Sequence, residues 1–73
     1  MTDTDEMPVK GTRTHPYVAV LRIDPVDWSD FEAAVTGRPE MKVRMVDRDQ
    51  PDIWIAYIAC ASQAVRDRLE RSW

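Results

Sequence analysis

Ile53-Trp54-Ile55-Ala56-Tyr57-Ile58-Ala59-Cys60 carries no charged side chain and is dense in β-branched and aromatic residues. Bounded upstream by the turn-forming cluster Asp47-Arg48-Asp49-Gln50-Pro51-Asp52, such a run reads as a strand buried on both faces. A strand of that kind belongs in the middle of a sheet, and the other segments can be placed around it.

Just upstream, Met41, Val43 and Met45 alternate with Lys42 and Arg44, the period-two pattern of a strand with one wet face, expected at an edge. The turn cluster joins this strand to the uncharged one as a hairpin. Tyr17-Val18-Ala19-Val20-Leu21-Arg22-Ile23 is a further apolar strand, with Tyr17, Ala19, Leu21 and Ile23 on one side and Val18, Val20 and Arg22 on the other. Between the two lies a helix. Asp24 caps its free N–H groups, Pro25 suits the first turn, and Asp27 and Asp30 favour the positive end of the dipole. Trp28, Phe31 and Val35 share one arc facing the core, and Gly37 followed by Pro39 ends the helix. After Cys60, Ser62 caps a second helix whose Ala61, Val65, Leu69 and Trp73 recur every four residues, with Asp67–Arg71 and Arg66–Glu70 spaced for ion pairs.

The expected order is therefore β-α-β-β-α. A right-handed crossover from the first strand to the second leaves a gap that the hairpin strand fills, antiparallel to both. This is an α+β domain with a ferredoxin-like (split β-α-β) antiparallel sheet lacking its last strand and both helices on one face. No family motif accompanies that architecture. Residues 1–14 are polar, contain Pro8 and Gly11, and read as a mobile arm; alternatively Val9 to Arg13 folds back as an edge strand with Thr14-His15-Pro16 as the turn. Residues 15–73 form the single domain.

A chain of 73 residues buries only roughly 60% of its unfolded surface, so its core is marginal. One cysteine excludes an internal disulfide, and no Cys/His cluster suits structural zinc, which leaves self-association or a partner as the supplement. The net charge of −3 resides in Asp3, Asp5 and Glu6, so the body is neutral and offers no global field for nucleic acid or anionic membranes. The acidic start precedes no apolar run, as a secretory signal would, and the longest apolar run, residues 53–61, is too short to span a bilayer, so a cytoplasmic setting is expected.

Chemistry is sparse. His15 and Cys60 can approach each other in this topology, but a loop histidine and a small buried cysteine explain both residues more simply than a nucleophilic pair. Asp47, Asp49 and Asp52 lack the glycine turn and terminal glutamate of a calcium loop. Tyr17, Trp54 and Tyr57 with Arg22, Lys42 and Arg44 raise single-stranded RNA binding as an alternative, without the basic-glycine-aromatic signature of such strands. No catalytic, cofactor or metal residue is assigned, and no enzymatic activity is expected.

The leading expectation is a non-enzymatic protein–protein interaction module, an adaptor or inhibitor, homodimeric through the open sheet edge or the second sheet face. Its interface residues would be Val18, Val20, Trp54, Ala56 and Ile58 on the sheet, with Asp27, Asp30 and Glu32 on the acidic first helix facing a basic partner. A second expectation is a dimeric ligand-binding or catalytic protein with an apolar pocket lined by Trp54, Tyr57, Met41 and Met45.

Overall fold

Three strands, β1 (Tyr17–Ile23), β2 (Met41–Asp47) and β3 (Trp54–Cys60), form one antiparallel sheet in the order β1-β3-β2. The structure, a computed structural model, describes residues 9–73. Helices α1 (Trp28–Val35) and α2 (Gln63–Ser72) complete an α+β arrangement. The uncharged stretch takes the middle position, with β1 paired from Tyr17↔Cys60 to Ile23↔Trp54 and β2 from Met41↔Cys60 to Asp47↔Ile55.

Register decides which side chains share a face, because directly opposed residues point the same way. Ala19 opposes Ile58 and Leu21 opposes Ala56, and all four are buried with Ile23, Cys60, Phe31, Val35 and Leu69 in the main core. Both helices therefore cover this side. Val18 opposes Ala59 and Val20 opposes Tyr57, which places them on the opposite, helix-free side.

This parity corrects the expected interface. Trp54, Ala56 and Ile58 lie on the helix side, where Ala56 and Ile58 are fully buried in the core, so they do not share a face with Val18 and Val20. The partners that do are Tyr57 and Ala59. The alternation expected for β2 also breaks, because its register against β3 shifts between Val43 and Met45. One extra residue in a strand reverses the facing of everything beyond it. Met41 packs on the main core, Met45 packs with Tyr57 and Ile55 on the other side, and Val46 takes the place opposite Ala56.

The helix termini follow the chemistry of their residues. Asp24 Oδ1 accepts from the Val26 N–H at 3.0 Å, and Pro25–Asp27 forms a 3-10 turn leading into α1. Gly37 adopts φ 82°, which a residue with a Cβ enters only at a cost, and Arg38 Nε donates to the Ala34 carbonyl at 2.7 Å. Ser62 Oγ accepts from the Val65 N–H at 3.2 Å to start α2. The four-residue ion pairs expected on α2 do not form. Arg66 instead lies over the Tyr17 ring, 5.7 Å from its centroid, and meets Asp67 at 3.4 Å. A guanidinium drawn onto the sheet cannot also reach one turn along its own helix.

Of the arm assigned to residues 1–14, residues 1–8 lie outside those described. Val9 is buried against Val18 and Tyr57 on the helix-free side, without joining the sheet. The Thr12 N–H donates to the His15 carbonyl at 2.9 Å, and Gly11 passes so near Pro16 that a Cβ there would fall 2.7 Å from the Pro16 Cα. His15 is buried. Its Nε2 lies 2.7 Å from the Pro39 carbonyl oxygen, which can only accept, so Nε2 carries the proton; in the neutral ring Nδ1 then accepts from the Thr14 hydroxyl at 2.8 Å. This bond ties the entrance of β1 to the entrance of β2 across the end of β3.

Candidate interaction surfaces

The two outer edges of the sheet differ in chemistry. β2 carries Lys42 and Arg44, both exposed, and has the register irregularity at Arg44. Charge and a bulge on an edge strand are both devices that discourage pairing with another chain. β1 has no bulge and less charge: its seven residues pair with β3 without a shift, and Arg22 is its one charged side chain. Among the described residues no strand pairs with its outer side. Val20, at the middle of β1, is 41% exposed.

The helix-free face is less bare than the sequence implies. Val9 covers Val18 and Tyr57, each left 9% exposed, and Met45 and Ile55 pack beside them. Tyr57 is the aromatic residue of the sheet on this side, and it lies under Val9. Trp54 and Tyr17 are on the helix side, so the aromatics considered for base stacking do not form one platform. The same parity separates Trp54 and Met41 from Tyr57 and Met45, and these four do not line a common pocket.

A different concavity opens on the helix side, lined from both α1 and β2. It encloses about 400 Å³ and is floored by Phe31, Val35, Met41, Val43 and Val46, with Trp28, Glu32 and Arg48 at its rim. Val43 is 45% exposed there. At one end Trp28 and Trp54 meet at 64° with ring centroids 5.4 Å apart, and the Arg48 guanidinium lies 4.6 Å from the Trp54 centroid and 5.6 Å from that of Trp28. The sequence alone left Arg48 among the solvated turn residues. Asp27, at the N-cap of α1, and Asp30 and Glu32 within it stand exposed, and among the described residues neither they nor Arg48 form an ion pair within 4.0 Å.

His15 and Cys60 do not hydrogen-bond to each other. The imidazole is engaged by Pro39 and Thr14, and Cys60 Sγ, within the helix-side core, donates to the Ile58 carbonyl at 3.6 Å. Burial pushes the Cys60 thiol above its ordinary value of 9.0, with Glu70 adding to the rise and Arg66 opposing it. A thiol whose folded-state pKa is raised supports the fold fully below pH 9.0, and that contribution fades as the pH climbs above it. Cys60→Ala should therefore flatten the alkaline fall in stability, measured by urea unfolding between pH 8 and 10. The native thiol should resist a disulfide reagent at pH 8 that modifies it at once in urea. Native modification at the rate of a free thiol would contradict this burial.

In the hairpin, the Asp49 N–H donates to Asp47 Oδ1 at 3.0 Å, an ordinary side-chain turn. Among the described residues no three His, Cys, Asp or Glu side chains converge as a metal site, and no described helix is long and apolar enough to cross a membrane. No protein-family model, curated protein or solved structure matches the chain.

Proposed function

We propose that the chain is a small, non-enzymatic protein–protein interaction module on a ferredoxin-like arrangement with three of its four strands, and that it joins a second copy through the outer edge of β1. The observation that carries this reading is the contrast between the two edges: β2 bears two exposed cations and a register shift, β1 a regular run with one charge. A symmetric antiparallel pair centred on Val20 would set Val20 against its counterpart, Val18 against Arg22, and Ala19 against Leu21. The same pairing at β2 would crowd Lys42 and Arg44 of both copies. Two further points support the reading. Val9 already covers part of the helix-free face, so the edge, more than the face, offers new pairing. His15 and Cys60, the residues with base and nucleophile chemistry, are committed to bonds within the fold.

The test is the mass of the protein in solution. Sedimentation equilibrium should give about twice the 8.5 kDa of the chain. Val20→Lys places a cation opposite its own copy and should yield a folded monomer with an unchanged far-UV spectrum. A wild-type monomer at high concentration, or a dimer indifferent to V20K, overturns the edge-paired dimer.

A further inference from the structure

We propose that the Trp28–Trp54 pair is a receptor for a cationic side chain of a partner protein, occupied in this structure by the chain's own Arg48. The inference names the partner class of the interaction module and rests on that reading, but it uses a different surface from the β1 edge. Two indoles at 64° turn their faces to one cation, an arrangement that attracts guanidinium or ammonium groups through the ring quadrupole. Arg48 comes from the exposed connection between β2 and β3, outside any strand or helix, so it can leave without unpairing the sheet.

The surroundings favour a cation over an anion. Asp27 precedes Trp28, and Glu32 lies one turn along α1 and lines the same concavity. With Arg48 displaced, Glu32 is the one charged side chain left lining the concavity among the described residues. The apolar concavity beginning at Trp28 then accepts what adjoins the cation: Phe31, Val35, Met41, Val43 and Val46 offer a floor for an apolar neighbour in the partner chain. The occupant is thus a basic segment with alternating apolar residues, its arginine or lysine seated where Arg48 now lies. The acidic face alone would not identify this ligand; the seated guanidinium does.

Titrating acetyl-(Arg-Leu)3-amide into the full chain, followed by the indole N–H resonances, tests this directly. The signals of Trp28 and Trp54 should move while that of Trp73 stays, and acetyl-(Glu-Leu)3-amide should leave all three in place. Arg48→Ala removes the internal competitor and should tighten binding about two- to fivefold, the scale of one exposed cation–indole contact. Glu32→Gln should weaken it. Binding that weakens in R48A, or equal shifts with both peptides, overturns the proposal and leaves Arg48 as a structural clamp. So does a shift map confined to β1. Repeating the titration with V20K separates the two claims: cation binding unaffected by loss of the dimer upholds the receptor, and a dimer that forms without any peptide response upholds the edge alone.

Discussion

Replacing Phe31 by alanine is expected to remove a large part of the protein's stability. Phe31 is fully buried, sits 5.4 Å from the ring of Trp28 and meets Trp73 edge-on at 5.3 Å and 87°. It thus joins α1, the sheet and the end of α2 in one contact set. Truncating such a residue costs about 3–5 kcal/mol, the lost transfer energy plus a cavity that a rigid sheet cannot collapse into. A domain of this length has on the order of 4–11 kcal/mol to lose, at about 0.05–0.15 kcal/mol per residue. Urea unfolding followed by far-UV circular dichroism should show a midpoint displaced by a large part of its wild-type value. A cost below about 1 kcal/mol, far under the usual price of an aromatic core deletion, would mean that α1 is not docked on the sheet as described.

Ile58→Asp should abolish folding at pH 7. Ile58 is fully buried in the middle of β3, flanked by Ala19 and Val43 on the neighbouring strands. An ionised carboxylate there has no partner, and even its neutral form costs about 2–7 kcal/mol to bury without a hydrogen bond. Burial raises the folded-state pKa of the new carboxyl, so the folded state binds the proton more tightly and stability should recover in part as the pH falls from 7 to 5. Ile55 is half-buried on the helix-free side, so Ile55→Asp should be tolerated far better. Equal damage from the two substitutions, compared by circular dichroism at both pH values, would contradict the assignment of faces.

The middle position of Ile53–Cys60 was legible because an uncharged run has nowhere else to go. The caps at Asp24 and Ser62 and the glycine stop at Gly37 were legible for the same kind of reason: each satisfies a local demand of the backbone. Facing was not. When both sides of a strand are apolar the period-two signal vanishes, and only the Ala19↔Ile58 register shows that Trp54, Ala56 and Ile58 belong with the helices. The irregularity beyond Val43 is likewise a property of pairing, since Met45 satisfies either face by composition. Long side chains escaped for a third reason. Arg48 and Arg66 sit in segments that read as solvated, yet their guanidinium groups reach Trp54 and Tyr17, a choice governed by tertiary geometry. Val9 and His15 show the same limit, two anchors within a polar stretch whose average composition says nothing of them.

Amide hydrogen exchange along β1 tests the edge-paired dimer most directly. Alternate N–H groups of Val18–Arg22 point at β3 and the rest point outward. With a second copy bound, both sets should exchange slowly, and the outward set should lose protection on dilution. Outward amides that exchange at loop-like rates at every concentration, beside inward ones that stay protected, would contradict it.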